Sequence, residues 1–336
     1  MIITELYNGQ GLGNQLWSYV VTRTIALDRG FEFGIMRSDK FKGSDFLKLD
    51  FGKDVIGGIG PEGGPPLTLP DGIENYYIEK DTWHNKYSCD IRDYDIGLLC
   101  INDKTKIEGY FQSEKFIVHR KNEIKEWLRV SSDFDCYDFC SENICILNVR
   151  GGEYKGNKDL ILPKKYWLDA IQNMLNFNNA LEFIIITDDV KYTSNLLPQY
   201  PSYHFSVGKD YSIVKNAKYL ILANSSFSFF PAWTSDTAKY IIAPKYWARH
   251  NISDGFWACA FNLYNGWLWQ DRNGNLFTFE ECEKEYNEYK VKNNVDMFGT
   301  RPKTTPPNFI KKRINSTMLI ASKIKNYLNP FKNEFE

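Results

Sequence analysis

The stretch CILNVRGGEY, residues 145–154, decides how the rest of the chain is interpreted. Residues 145–149 form a short apolar run, which is the pattern of a buried strand, and Arg150, Gly151 and Gly152 begin a loop where the run stops. An arginine at the carboxyl end of a buried strand, beside glycines that let a ligand approach the backbone, suits an anion such as a pyrophosphate. Arginines after strands also commonly pair with surface carboxylates, so both interpretations stay open at this point.

Two later strands also end in polar residues. Residues 182–186 and 218–223 are buried apolar runs that follow predicted helices. The polar residues are Asp188 and Asp189 after the first run, and Asn224, Ser225 and Ser226 after the second. Strands that alternate with helices form a parallel sheet, and the carboxyl ends of its strands lie at one edge, where ligands bind. We therefore predict an α/β fold with a ligand site formed by these three strand ends.

The chain begins with another strand, a glycine loop and a helix. Residues 2–7 have the pattern of a strand, residues 8–15 are NGQGLGNQ, and apolar residues recur at helical spacing from Leu16 to Leu27. A helix that starts at such a loop points its free N–H groups and the positive end of its dipole at a ligand.

The glycines of this loop do not fit a dinucleotide fingerprint. Gly9, Gly11 and Gly13 resemble the start of G-x-G-x-x-G, but that pattern needs a glycine where the chain has Asn14. Asn14 and Gln15 instead place two amides at the helix start, where they can hydrogen-bond a sugar hydroxyl or a phosphate oxygen.

Composition narrows the class of protein. The 336 residues suffice for two domains, and the net charge of -1 with a pI near 6.5 argues against a general nucleic-acid binder. An aromatic content of 16% fits a protein that holds flat or ring-shaped ligands, although many rings will be core. Seven cysteines without framework spacing indicate reduced thiols. Since no secretory signal or apolar span is found either, we predict a cytoplasmic protein.

No metal site is predicted. Cys136, Cys140 and Cys145 lack the spacing and the nearby histidine of a zinc site. Two D-x-D triplets, at residues 93–95 and 133–135, have the form that metal-dependent sugar transferases use to hold a divalent ion against a nucleotide diphosphate. Such triplets also arise by chance in a chain with 42 acidic residues.

The chain divides into three regions. Residues 1–140 are predicted to form a first domain with an irregular insertion at 38–104, and residues 141–255 a second domain in which strands and helices alternate again. Residues 256–336 are predicted to hold an aromatic hairpin region and a basic amphipathic tail. The other predicted elements are strands at 106–111 and 240–247, helices at 114–129, 164–175 and 211–217, and a hairpin turn at 271–276.

Five motifs in this order resemble those of the α-1,2-fucosyltransferases, glycosyltransferase family eleven, and more distantly those of the α-1,6- and protein O-fucosyltransferases. The family begins with a strand and G-x-L-G-N-Q, which corresponds to residues 9–15. The later motifs are GYFQS at 109–113, H-x-R-x-G-D-Y aligned with 148–154, a pair of aspartates at 188–189, and N-S-S-F-S-W-W aligned with 224–230. The resemblance spans about residues 1–235.

The resemblance implies the GT-B arrangement, in which two Rossmann-like domains face each other across a cleft. Residues 1–140 would be the acceptor-side domain, and residues 141–255 the domain that binds the nucleotide sugar. It also implies metal-independent, inverting transfer of L-fucose from GDP-fucose to a glycan hydroxyl, with an α-1,2 linkage, in surface polysaccharide or O-antigen-type synthesis. Arg150 would bind the diphosphate and stabilise the leaving GDP, with Glu153 and Asn14 as further catalytic candidates, and Asp210 would read the guanine edge. The donor-binding residues implied are Gly11, Gly13, Asn14, Gln15, Asn148, Arg150, Asp188, Asp210, Asn224, Ser225, Ser226 and Phe227.

Two positions depart from the family pattern. Asn148 stands where the family has histidine, and Glu153 where it has aspartate. An amide can hydrogen-bond but cannot transfer a proton as an imidazole does, and Glu153 reaches one methylene further. Glu153, Asp188 and Asp189 are the candidate bases. A same-fold transferase with another nucleotide sugar, and a noncatalytic sugar-nucleotide or glycan-binding protein, stay open as alternatives.

The last region adds two expectations about partners. Trp257, Trp267 and Trp269 could stack on acceptor sugars or pack in the core. The tail at 308–332 could form a basic amphipathic helix on the anionic inner face of a membrane, where a lipid-linked acceptor would be presented. The tail could equally pack on the protein or remain mobile. The sequence leaves the oligomeric state open.

Overall fold

Two parallel sheets, one from each half of the chain, form the framework of the protein in the computed structural model. The structure describes residues 1–57, 69–80, 82–84, 89–253, 255, 262–292 and 298–299. The predicted tail at 308–332 and Trp257 lie outside these ranges. Among the helices of these ranges, none has the length and apolar content needed to cross a membrane.

The first sheet has four strands in the order β2-β1-β6-β3, and all neighbouring strands are parallel. The strands of the first half are β1 (Ile2–Glu5), β2 (Phe33–Met36), β3 (Asn75–Ile78), β4 (Thr82–His84), β5 (Cys89–Ile91) and β6 (Thr105–Glu108). β3 falls within the stretch 38–104, so this predicted insertion is not irregular throughout. β4 and β5 instead pair antiparallel in a small sheet.

The second sheet has seven strands in the order β13-β12-β11-β10-β7-β8-β9 and is parallel except for the β12–β13 hairpin. Its strands are β7 (Ile144–Val149), β8 (Glu182–Thr187), β9 (Ser202–Tyr203), β10 (Tyr219–Leu222), β11 (Tyr240–Pro244), β12 (Leu268–Gln270) and β13 (Leu276–Phe277). A final strand, β14 (Phe298–Gly299), joins β4 in the small sheet. The predicted α/β class is confirmed, with one parallel sheet in each half of the chain.

Seven α-helices connect and cover the sheets in the described part. They are α1 (Leu12–Asp28), α2 (Lys121–Trp127), α3 (Lys164–Phe177), α4 (Val190–Leu196), α5 (Val207–Asn216), α6 (Ser226–Trp233) and α7 (Phe279–Lys292). Helix α1 is buried at 13 of its 17 residues, because it is covered by the first sheet on one side and by α6 on another.

The predicted helix at 114–129 is wrong in its first half. Residues Glu114–Phe116 and Val118–Arg120 form two short 3-10 helices, and only Lys121–Trp127 is α-helical. Glu114, Phe116 and Ile117 are all buried, and at α-helical spacing Phe116 would lie on a different face from Glu114 and Ile117. The Glu114 carboxylate accepts hydrogen bonds from Trp233 Nε1 at 2.9 Å and from the Asn265 N–H at 2.6 Å, which fixes this segment against α6.

Both parallel sheets have a switch point in their strand order. The chain passes from β7 to β8 on one side and later returns to place β10 on the other side of β7. In the same way, β2 and β6 lie on opposite sides of β1. Ligands of open α/β sheets bind in the crevice outside the carboxyl ends of the two strands at such a point.

Helices α1 and α6 bring the two switch points together. α1 follows β1 and α6 follows β10, and a Cβ atom added at Gly13 would lie 2.2 Å from the carbonyl carbon of Ser226. One turn further on, the Trp17 ring stacks on Phe229 with the centroids 4.3 Å apart. The carboxyl edges of the two sheets therefore meet where the first turns of these helices touch.

The aromatic residues near the hairpin are part of the core. Trp267 and Trp269 are buried, their rings are 5.8 Å apart, and both contact Tyr264. The predicted hairpin turn is confirmed by β12 and β13. Neither tryptophan presents its ring to an acceptor sugar.

Candidate active site

The three polar strand ends predicted from the sequence lie side by side. The register pairs Asn148 of β7 with Leu222 of β10, and Val149 with Thr187 of β8. The residues that follow, Arg150, Asp188 and Asn224, therefore emerge at the same edge of the second sheet. Arg150 and Asn224 flank its switch point.

Arg150 is held in place by two carboxylates. Its Nη1 lies 2.6 Å from Asp188 Oδ2 and its Nη2 lies 3.2 Å from Glu153 Oε1. Its Cζ is 5.5 Å from the centroid of the Tyr154 ring. The side chain is 31% exposed, and a guanidinium has five N–H donors, so the carboxylates leave donors for an anionic ligand.

Gly151 and Gly152 let the loop after β7 lie directly on the aspartate pair. The Gly151 N–H donates to Asp188 Oδ1 at 2.8 Å, and a Cβ at Gly151 would meet the Asp189 Cβ at 2.8 Å. Gly152 has a φ of +32°, and its Cβ would meet Asp188 Oδ2 at 2.4 Å. Asp188 thus orients both the guanidinium and the loop that carries it, which is a positioning role.

The other two candidate bases differ in how they are engaged. Asp189 caps α4 by accepting from the Tyr192 N–H at 2.9 Å, and its ion pair with Lys155 lowers the pKa of its carboxyl. Glu153 is 77% exposed, and in the described part of the chain its carboxylate pairs with Arg150.

The amino end of α6 provides a second feature that suits an anion. The Ser225 hydroxyl caps the helix by accepting from the Phe227 N–H at 3.3 Å, and the first turn carries no acidic residue. Free N–H groups and the helix dipole favour negative charge at this end. Ser226 and Phe227 are half-buried, so this end of the helix is accessible.

The amides of Asn148 and Asn224 are used inside the protein. Asn148 Nδ2 donates to the Ile186 carbonyl at 3.2 Å, and its Oδ1 accepts from the Ser228 hydroxyl at 2.6 Å. Asn224 Nδ2 donates to the Leu160 carbonyl at 3.0 Å, which ties the loop after β7 to the loop after β10. The structure gives both residues a packing role, and direct donor contact stays a prediction for them.

Residues of the first sheet's switch point complete the arrangement. Gly11 precedes α1, and Gly13 allows the close contact with Ser226 described above. Gln15 is fully buried and bridges to a neighbouring loop, donating to the Lys40 carbonyl at 2.8 Å and accepting from the Lys42 N–H at 2.9 Å. Its side chain therefore holds that loop, whereas Asn14 is half-buried in the first turn.

The GYFQS motif is shaped by a residue that sequence reasoning missed. Both oxygens of the Glu79 carboxylate accept from the motif's backbone, from Tyr110 N–H and Phe111 N–H, each at 2.8 Å. The turn requires glycine at position 109, because an added Cβ would lie 2.4 Å from the Glu79 Cβ. Phe111 has a φ of +49°, in the left-handed region, which bends the backbone at this turn. This turn directs Gln112 toward Asn14, with Nε2 of Gln112 2.8 Å from Oδ1 of Asn14.

Asp210 is a buried carboxylate at the amino end of α5. Its Oδ2 lies 2.6 Å from His204 Nδ1, and its Oδ1 accepts from the Phe205 N–H at 3.1 Å. Burial raises the pKa of the Asp210 carboxyl above its ordinary value, and the charge of Asp188 adds to the increase. The Asp210 carboxylate thus lies near the loop that carries Arg150. A guanine in the predicted contact would share this carboxylate with His204 and the Phe205 N–H.

Carboxylates of both D-x-D triplets accept hydrogen bonds from protein groups. Asp93 accepts from the Tyr286 hydroxyl at 2.5 Å, whereas Asp95 bonds to Tyr77 and the Gly97 N–H. Asp135 likewise accepts from the side chains of Ser212 and Asn216. Across the described ranges no three potential metal ligands cluster.

A cavity of about 120 Å³ lies beside the GYFQS turn. It is lined by the aromatic residues Tyr94, Phe279 and Tyr286 and by polar groups that include Ser113, Asn287 and Lys290. Ser113 follows Gln112 directly, so the cavity adjoins the segment that contacts Asn14.

The sequence matches no protein-family model. Over 171 residues it is 26% identical to the α-1,2-colitosyltransferase of Escherichia coli, covering 45% of this chain and 59% of that protein. Over 166 residues it is 25% identical to the O-antigen biosynthesis glycosyltransferase WbnK of the same species, covering 43% and 55%. The chain therefore spans less than two thirds of the length of the curated relatives it matches. Among solved structures, fucosyltransferase NodZ from Bradyrhizobium aligns with a TM-score of 0.40 and 12% identity, over 71% of this chain and 94% of that chain.

Proposed function

We propose that the protein is a glycosyltransferase that uses a nucleoside-diphosphate sugar and binds the pyrophosphate between Arg150 and the amino end of α6. One observation carries this proposal: a preoriented guanidinium and a free helix amino end flank one switch point, and the other sheet's switch point touches it through Gly13 and Ser226. The sequence similarity to two bacterial glycosyltransferases supports the same activity.

GDP-fucose is the donor we propose, with an α-1,2 linkage to a hydroxyl of an O-antigen-type glycan. The order of the five motifs supports fucose, and the names of the relatives support the linkage and the glycan class. Colitose is the nearest competitor, because one relative is named for it and colitose lacks one ring hydroxyl of fucose. Asn148 and Glu153, where the family motif has other residues, are the positions at which the donor sugar could be distinguished.

The proposed chemistry is a single inverting displacement without a metal ion. The acceptor oxygen forms a bond to the anomeric carbon while the bond from that carbon to the phosphate oxygen breaks, through an oxocarbenium-like transition state. Arg150 stabilises the negative charge that grows on the leaving oxygen, an effect worth about 3 kcal/mol for a preorganised donor in a dry site. Glu153 takes the acceptor proton, since Asp188 and Asp189 are tied to backbone N–H groups.

On the acceptor side, we propose that a sugar ring of the glycan occupies the cavity beside Ser113. Binding pockets combine aromatic walls with a few polar groups that fix orientation, and Tyr94, Phe279 and Tyr286 with Asn287 supply this combination.

Calorimetric titration tests the donor proposal. Wild-type protein should bind GDP without a metal, and Arg150→Ala should abolish that binding. Arg129→Ala, which removes an exposed arginine paired with Glu126 on another face, should bind GDP as the wild type does. Binding that is restricted to UDP sugars, or that needs magnesium, would rule out the assignment of Arg150. Release of GDP from GDP-fucose in the presence of acceptor glycans then separates an enzyme from a noncatalytic binding protein.

A further inference from the structure

Three side-chain amides from separate segments form a continuous chain that ends at the proposed donor site. Asn262 Nδ2 lies 3.1 Å from Gln112 Oε1, and Gln112 Nε2 lies 2.8 Å from Asn14 Oδ1. The Tyr264 hydroxyl also accepts from Asn262 Nδ2, at 2.9 Å. Asn262 is 2% exposed and Gln112 is 8% exposed, so water does not compete for these contacts.

The neighbours of Asn262 favour one direction for the amides in this chain. Asn262 Nδ2 also faces the main-chain oxygen of Gln112 at 3.5 Å, and a carbonyl oxygen can only accept. The amide nitrogen of Asn262 therefore lies toward Gln112, and Gln112 presents Oε1 to it at 3.1 Å. Gln112 is then left with Nε2 toward Asn14, so Asn14 must present Oδ1 to Gln112.

This orientation leaves Asn14 Nδ2 on the side of the amide that faces away from Gln112. Within the described part of the chain, no protein acceptor bonds to Asn14 Nδ2, although the side chain is only half-buried. Asn14 follows Gly13, which contacts the Ser226 backbone at the amino end of α6. The first turn of α1 therefore presents two N–H donors, and no acceptor, beside the place proposed for the diphosphate.

We propose that Gln112 and Asn262 are positioning residues that orient Asn14 to donate a hydrogen bond to a phosphate oxygen of the leaving nucleoside diphosphate. This inference rests on the proposed function. A phosphate oxygen has lone pairs and no hydrogen to give, so it matches a site that offers donors alone. Asn14 would then act from the first sheet on the same growing charge that Arg150 stabilises from the second sheet.

Two substitutions of Gln112 test the orientation. Gln112→Glu keeps the shape but can only accept, so Asn14 must turn its amino group toward the new carboxylate and its oxygen toward the donor. Loss of one such donor lowers kcat by about 100-fold or more in comparable sites, and we expect a fall of that size. Gln112→Met removes the hydrogen bonds that link Asn262, Gln112 and Asn14, which we call the relay, without adding charge. It should give a smaller fall in kcat, because the Asn14 amide can then adopt either orientation.

Gln270→Met is the control for the loss of a buried glutamine amide. Gln270 of β12 is fully buried, and its side-chain hydrogen bonds go to the Tyr166 carbonyl at 2.9 Å and to Asn173 Nδ2 at 3.0 Å, both of helix α3. Its unfolding free energy should fall as that of Gln112→Met does, while its kcat stays at the wild-type value. A purely structural role for Gln112 predicts that both variants keep their kcat.

Side-chain amide signals give a readout that does not depend on turnover. In protein labelled with ¹⁵N-asparagine, the signal that Asn14→Ala removes should shift when GDP is added to the wild type. The same signal should not shift in Gln112→Glu. A shift with GDP-fucose but not with GDP would transfer the contact to a sugar hydroxyl and overturn the assignment to phosphate.

The relay and the proposed function can fail separately. If wild-type protein neither binds GDP nor transfers a sugar, the proposed function is wrong. If wild-type protein does both, and Gln112→Glu and Gln112→Met keep kcat within about twofold of the wild type, the relay is wrong while the proposed function stands.

Discussion

Replacing Gly13 by alanine tests how closely α1 must approach α6. The added Cβ would lie 2.2 Å from the Ser226 carbonyl carbon, 2.3 Å from its oxygen and 2.4 Å from the Phe227 nitrogen. These are backbone atoms, so no side chain can swing away. Restoring a carbon–carbon contact of about 3.5 Å requires the helices to separate by about 1.3 Å.

The expected cost of Gly13→Ala follows from that displacement. Overpacking of this kind costs about 1–3 kcal/mol in free energy of unfolding. A misplacement of about 1 Å between groups that act together lowers the rate by about 100-fold, and here it would move Asn14 away from the amino end of α6. Urea denaturation measures the first effect, and GDP release from GDP-fucose measures the second.

Gly11→Ala is the matched control for the unfolding measurement. It lies in the same loop and has an ordinary φ of −69°, and a Cβ there meets no atom within 4 Å. Its unfolding free energy should stay within about 1 kcal/mol of the wild type, because a weaker helix cap is offset by a less flexible unfolded chain. If Gly13→Ala unfolds at the same urea concentration as Gly11→Ala, the close contact between α1 and α6 does not exist in solution.

Three further predictions concern the loop after β7, a buried histidine and the acceptor cavity. Gly152→Ala should weaken GDP binding about tenfold in calorimetry, because the added Cβ would push Asp188 off Arg150 and hydrogen bonds to charged groups contribute about 1.5–3 kcal/mol. Gly156→Ala is the control, since a Cβ there meets no atom within 4 Å, and it should leave GDP binding unchanged. Burial lowers the pKa of His250 to about 4, so the unfolded chain takes up a proton near pH 6.5 that the folded chain refuses. This proton uptake should lower the unfolding free energy of the wild type by about 2 kcal/mol from pH 8 to pH 5, and His250→Gln should lack this contribution. If wild type and His250→Gln show the same pH dependence in urea denaturation, the prediction is wrong. Asn287→Ala should raise KM for the acceptor glycan severalfold and leave KM for GDP-fucose unchanged in initial-rate assays.

Local sequence patterns predicted the parts of the site that follow a strand directly. Arg150, Asp188 and Ser225 each come after an apolar run, and parallel pairing brings such strand ends to one edge whatever the intervening loops do. The glycine loop before α1 was predicted for the same reason. The contact between Gly13 and Ser226 was not predicted, because nothing in either segment's pattern indicates which distant helix it meets.

The parts of the site that could not be predicted depend on contacts between residues far apart in the sequence. Glu79 fixes the backbone N–H groups of Tyr110 and Phe111 from 31 and 32 positions away, and Asn262 reaches Gln112 from 150 positions away. Neither lies in a periodic segment. An inward-facing carboxylate such as Glu79 also looks like a surface charge in the sequence. The broken helix at 114–127 has a similar origin, since its first residue, Glu114, is held by Trp233 and Asn265 from more than 110 positions away.

The stacked rings between the two sheets affect any attempt to exchange halves between related transferases. Trp17 from the first half stacks on Phe229 from the second, and Tyr264 contacts both, with centroids 6.3 Å and 4.3 Å away. A chimera joined between the sheets would carry a ring surface shaped for a partner it no longer has. Under the proposed function, substitutions of the cavity residues near Asn287 would transplant acceptor preference more readily than a swap of the whole amino-terminal half. A swap of halves would need Trp17, Phe229 and Tyr264 to come together from one parent.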